Sequence, residues 1–154
     1  SQALIGLVDG RMTPIEVVAQ ARVGSRNGPL EVEQGRLAPD LVEALKARGQ
    51  LSEEGLSVRV INVHTIKPID REAVIKAAED TGRLVTVEEH FVTGGLGSAV
   101  AEVLAEAGKG RLVRLGLQDR FIMDVASYPD VLTLVGLDAD SIARAVKSII
   151  QIDL

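Results

Sequence analysis

The sequence predicts an α/β domain of three layers, helix, sheet and helix, whose five-stranded sheet is mostly parallel with one antiparallel edge strand. Three observations carry this prediction. From residue 38 to residue 150, short β-branched runs alternate with helical stripes. The links between those runs are long enough to hold a helix, which implies right-handed crossovers between parallel strands. Before residue 38, two further strand-like runs are joined by the short polar link 24–28, which suits an antiparallel hairpin. The 154 residues suit one domain spanning 1–154, in which 1–14 read as an N-terminal extension or linker.

Each element has its own signal. Ile15 to Val23 and Leu30 to Glu33 read as strands, the second half-charged and therefore suited to an edge. Leu41, Val42, Ala44 and Leu45 form a helical stripe after Pro39, a residue well placed in a first turn. The polar stretch from Gly49 to Gly55 reads as a turn. Ser57 to Val63 is β-branched and reads as a buried strand. Asp70 is a good N-cap for a helix carrying Ala73, Val74, Ala77 and Ala78, and Gly82 stops it. Leu84 to Val87 is the next strand. Gly94-Gly95-Leu96-Gly97 leads into a helix with Val100, Val103, Leu104 and Ala107 on one face. Leu112 to Leu115 is a further strand, and Asp138 caps a last helix with Ile142, Val146, Ile149 and Ile150 on one face.

Composition narrows the function classes. There is no Cys, which removes disulfides, thiol nucleophiles and Cys-based zinc sites. A net charge of −5 without a dense Lys/Arg block argues against nucleic acid as the main partner. No apolar run approaches the roughly 18 residues of a membrane span. The apolar start, Ser1 to Val8, has no basic leader and does not read as a signal peptide, so a cytoplasmic setting is expected.

Ligands of open parallel sheets collect beyond the carboxyl ends of the strands. That rule places His64 and Thr65 after one strand, Glu88, Glu89 and His90 after the next, and Asp119 and Arg120 after the third. Both histidines of the chain therefore fall on one edge, where imidazole can shuttle protons and carboxylates can orient it. A solvated edge whose acids satisfy loop amides is the plainer reading of each residue taken singly. A metal site is disfavoured, because Glu89 and His90 are adjacent and no HxxxH spacing occurs. The turn Thr93 to Ser98, with Gly94, Gly95, Gly97 and Ser98, can present amides to an anion at a helix N-terminus. It can equally be a tight turn for close helix packing; it is neither GxGxxG nor a P-loop. Val8-Asp9-Gly10 lacks the first Gly of a Gly-Asp-Gly cofactor motif, and no Gly-x-Ser-x-Gly elbow occurs.

Three segments together carry a family resemblance: Val58 to Asp70, which includes His64-Thr65-Ile66-Lys67-Pro68; Val85 to His90 followed by Gly94 to Val100; and Leu117 to Phe121. In this order and spacing they resemble the C-terminal domain of the transketolase family of thiamine diphosphate enzymes. The His-Thr-Ile-Lys-Pro form is nearer to transketolases, including those split into two subunits, than to pyruvate dehydrogenase beta subunits. Deoxyxylulose phosphate synthases share the domain. Ile15 to Val23 resembles the strand that begins it. Two stretches, 30–37 and 122–127, depart from the family pattern.

The resemblance implies a five-stranded mixed sheet and a C-terminal domain or small subunit of an enzyme that transfers a two-carbon ketol unit. It implies that thiamine diphosphate and a divalent metal are bound by partner domains and not by this chain. It further implies homo- or hetero-oligomers with those cofactor-binding subunits, and an interface or substrate-entrance role for His64, Glu88, Glu89, His90, Asp119 and Arg120. The alternative is a scaffold or regulatory binding module that keeps the fold without catalysis.

Overall fold

The computed structural model describes residues 2–8, 39–119 and 127–151, and the statements that follow concern these residues. Nine elements follow in order: β1 (Gln2–Val8), α1 (Pro39–Glu53), β2 (Ser57–Val63), α2 (Arg71–Thr81), β3 (Arg83–Phe91), α3 (Leu96–Ala107), β4 (Arg111–Leu117), α4 (Tyr128–Val135) and α5 (Ala139–Gln151). The four described strands form one sheet in the order β2-β1-β3-β4. β3 and β4 pair in parallel, with α3 as the crossover between them, as the alternation predicts.

Apolar side chains sort by strand alternation into two clusters. Val58 and Val60 of β2 and Val85 and Val87 of β3 pack with Ala44, Ala47 and Leu51 of α1, Leu132 of α4, and Ile142, Val146 and Ile149 of α5. Leu84 of β3, with Ile61 and Val63 of β2, packs with Val74, Ala77 and Ala78 of α2 and with Leu96, Val100, Val103 and Leu104 of α3. Period-2 strands between two sets of period-3.6 helices produce this division. Polar contacts join α1 and the residue that follows it to α5 at the rim: Ala139 N–H donates to Glu43 at 3.0 Å, Gln50 to Asp140 at 2.9 Å, and Lys147 to Glu54, just past α1, at 2.9 Å. The predicted caps of α2 are in place, with Ala73 N–H donating to the Asp70 carboxylate at 3.0 Å and Gly82 ending the helix in the left-handed region.

The structure differs from the sequence reading in four places. Gln2–Val8, read as part of an extension or linker, is a strand that pairs with β2 and β3 at once. Among the described residues this antiparallel strand is an inner one, and the run expected as the antiparallel edge, Ile15 to Val23, lies outside them. A run without a single charge suits a position with neighbours on both sides. The second difference is α1, which runs through Gly49 to Glu53, because Leu51 continues the buried series Ala44 and Ala47 at helical spacing. Third, α4 was not read from the sequence, although Ser127 and Asp130 form a capping pair around Pro129. Fourth, β3 and β4 extend two to four residues beyond the apolar runs that announced them. The strand-like runs at 15–23 and 30–33 lie outside the described residues.

Candidate functional site

The carboxyl edge is organised by an irregularity in β3. Val87 pairs with Leu115 and Phe91 with Leu117, so four residues of β3 are spanned by two of β4. Three residues, Glu88 to His90, thus face one, Gly116, and form a bulge, a device that re-aims side chains. Gly116 lies opposite. A Cβ there would stand 2.7 Å from the His90 carbonyl oxygen and 3.0 Å from Glu88 Cγ. Glycine therefore lets β4 pass close under the bulge.

The bulge sends its three titratable residues to different places. Glu88 turns inward and is fully buried. Its Oε2 accepts the Leu96 N–H at 2.6 Å and its Oε1 the Gly97 N–H at 2.8 Å, so the carboxylate sits on the positive N-terminus of α3. Glu89 turns outward and accepts a hydrogen bond from the Tyr128 hydroxyl at the start of α4. Partial burial, and then that carboxylate, push the Tyr128 hydroxyl well above its ordinary pKa. His90 is exposed, its Nδ1 3.2 Å from the Phe91 carbonyl oxygen and its ring edge-on to Phe91 at 6.0 Å. Phe91 itself is 46% exposed, a large apolar side chain at the rim.

The glycine-rich turn closes around Glu88. A Cβ on Gly95 would lie 2.0 Å from Glu88 Oε2, and one on Gly97 would lie 2.8 Å from Arg114 Cδ and 3.0 Å from Glu88 Oε1. Gly94 N–H donates to Ser98 Oγ at 2.9 Å, Ser98 Oγ donates to the Val92 carbonyl at 3.1 Å, and Arg114 reaches the same carbonyl at 3.1 Å. The amides of Gly94, Leu96 and Gly97 are thus engaged from within the chain.

The edge brings some of the sequence-selected residues together and separates others. Glu88 meets Gly95 and Gly97 directly. His64 is exposed, with Nδ1 2.7 Å from Thr65 Oγ1. It follows the last residue of β2, and because β1 lies between β2 and β3 it stands about 9–10 Å, two strand spacings, from the β3 end. Asp119 is exposed after β4, and Arg120 lies outside the described residues. Among the described residues no three His, Asp or Glu side chains gather as a cation site requires. Sequence reasoning missed Gly116, Arg114 and Tyr128. An isolated Gly inside a strand pattern was an available signal for the bulge; no local signal marked the other two.

Comparison with known proteins adds a second line. Residues 38–142 match the family model described as transketolase, C-terminal domain. The chain is 41% identical over 110 residues to 1-deoxy-D-xylulose-5-phosphate synthase 1 of Geobacter sulfurreducens, covering 70% of this chain and 17% of that protein. It is 41% identical over 111 residues to the 6-deoxy-6-sulfo-D-fructose transketolase subunit SqwH of a Clostridium species, covering 72% of this chain and 34% of the other. A putative transketolase C-terminal section of Methanocaldococcus jannaschii is 43% identical over 108 residues, covering 70% and 33%. Among solved structures, a split gene transketolase described as an inactive beta4 tetramer matches with a TM-score of 0.64 and 41% identity, covering 71% of this chain and 35% of that one. The matched region thus spans about a third or less of the length of these relatives.

Proposed function

Because the chain belongs to the transketolase C-terminal domain family, we propose that it is the C-terminal domain or small subunit of a thiamine diphosphate enzyme that transfers a two-carbon ketol unit. Its contribution on this reading is assembly and interface. The observation that carries it is the match of residues 38–142 to this one domain. Thiamine diphosphate and its divalent metal belong, on this reading, to partner domains. The described residues do not fit the group: they gather no cation ligands, and the amides at the start of α3 already hold Glu88.

The exposed carboxyl edge, with His64, Glu89, His90, Phe91 and Asp119, is the surface we assign to partner chains or to the substrate entrance. The exposed imidazole of His90 beside the exposed Phe91 suits an interface, where aromatic side chains are enriched. On this reading residues 1–154 form one domain of the three-layer α/β/α kind, and it works as a cytoplasmic homo- or hetero-oligomer.

Light scattering tests this reading. The chain is mixed with the chains encoded or copurified beside it, and any that associates is examined for a Gly-Asp-Gly cofactor motif. A stable complex that gains two-carbon transfer activity with thiamine diphosphate is the expected result, and replacing His64, Glu89 and His90 together by Ala weakens it. A chain that self-associates, ignores such partners and is indifferent to thiamine diphosphate overturns the transferase reading in favour of a scaffold.

A further inference from the structure

A carboxylate that is fully buried must be matched by donors, or it costs far more than it contributes. Glu88 is matched without a cationic partner being required. Its two oxygens take one amide each, from Leu96 and Gly97, at 2.6 and 2.8 Å. These belong to the first-turn amides of α3, which have no intrahelical acceptor. The space around the carboxylate is cut to fit: a Cβ on Gly95 would overlap Oε2 at 2.0 Å, and one on Gly97 or Gly116 would approach Glu88 to 3.0 Å. Glu88 alone sets the limit at Gly95, and it shares the limit with Arg114 at Gly97 and with the His90 carbonyl at Gly116.

The same side chain sits in the bulge that turns His90 and Phe91 outward. The strand can surrender its pairing over 88–90 because Glu88 replaces it with two hydrogen bonds to another element. Ser98 and Arg114 then hold the Val92 carbonyl, fixing the turn that follows.

We propose that Glu88 is a positioning residue: its carboxylate is the built-in ligand of the α3 N-terminus, and that seat fixes the bulge displaying His90 and Phe91 on the carboxyl edge. Glu88 itself touches no partner or substrate. The glycine-rich turn is closed to outside anions while Glu88 is in place. The functional value of the displayed edge rests on the reading of the edge as partner-facing; the seat itself does not.

The test is chemical rescue. Glu88→Ala vacates the seat, and the thermal midpoint of the chain is expected to fall by roughly 10 °C. Formate, which carries the same carboxylate group, restores part of that loss saturably, whereas neutral formamide at equal concentration does not. In amide spectra, formate shifts Leu96 and Gly97 in the variant, and inorganic phosphate leaves both unmoved in the unmodified chain. Glu88→Gln, which keeps the shape but gives one amide a donor instead of an acceptor, serves if the Ala variant does not fold. It is expected to lose stability and to shift the amides of His90 and Phe91 along with those of Leu96 and Gly97.

A Glu88→Ala chain as stable as the original, equal rescue by formamide, phosphate shifts at Leu96 and Gly97 in the original chain, or Glu88→Gln leaving His90 and Phe91 unmoved would each overturn the proposal. None of these readouts involves a partner chain. A failure to bind cofactor-carrying subunits sinks the functional reading alone.

Discussion

Gly95→Ala is the most demanding single substitution for this account, because it adds one methyl group beside the buried carboxylate. The backbone of Gly95 is extended, with φ −100° and ψ −154°, so an alanine meets no conformational strain there. Removing a glycine would ordinarily stabilise by about 0.4–1 kcal/mol through the unfolded state. An alanine at this N-cap position would offset that by a similar amount. The remaining term is steric. The new Cβ falls 2.0 Å from Glu88 Oε2 and 3.0 Å from the Phe91 carbonyl oxygen. The carboxylate must retreat by more than an ångström, which breaks its 2.6 Å bond to Leu96 and strains the 2.8 Å bond to Gly97. Hydrogen bonds to a charged group contribute about 1.5–3 kcal/mol each. The expected loss is therefore about 3–5 kcal/mol, or roughly 10 °C in thermal midpoint for a domain of this size. Circular dichroism melts and urea titrations of both chains measure it.

A second arm isolates the cause. In a Glu88→Ala background, Gly95→Ala meets no carboxylate and should change stability by less than about 1 kcal/mol, a strong departure from additivity. A Gly95→Ala midpoint within about 2 °C of the original, or equal losses in both backgrounds, would refute the reasoning.

Two further predictions concern the scaffold. Ile142 of α5 is fully buried against the sheet, so Ile142→Ala should cost about 2–5 kcal/mol, seen as a lower urea midpoint with an unchanged slope. Burial pushes the Asp138 carboxyl up, but the Ser141 amide and hydroxyl, each 2.9 Å away, outweigh it and hold the pKa below the ordinary value. The folded pKa thus lies below the unfolded one, and Asp138 stabilises the fold above the usual carboxylate range. That stability is lost as pH falls through the folded value. Urea midpoints measured down from neutral pH should fall less steeply in acid for Asp138→Asn than for the original chain; identical acid limbs would contradict this assignment.

How far the sequence reaches can be judged residue by residue. Ser57–Val63 is a strand with the bounds its β-branched run announces, and Asp70 and Gly82 bound α2 as their chemistry requires. Such signals are local: a cap or an alternating run acts within a few residues of itself, so it can be read in one pass. The division of helices between two apolar clusters follows from the same alternation. The sequence by itself also placed Glu88, Glu89 and His90 after the apolar run of one strand and His64 after that of another, which put them on one edge.

What each residue does on that edge was decided only by the tertiary structure. Three adjacent residues, Glu88, Glu89 and His90, look equivalent in sequence. A bulge against Gly116 separates them into a buried helix ligand, a tyrosine partner and an exposed imidazole. The pairing of Gln2–Val8 between β2 and β3, which sets His64 apart from His90, joins positions 49 to 84 residues apart. Strand order and bulge register depend on long-range pairing, whose favourable terms appear only once the chain has closed the intervening loops. No local pattern encodes that closure, and so the residues of the edge were visible beforehand while their arrangement was not.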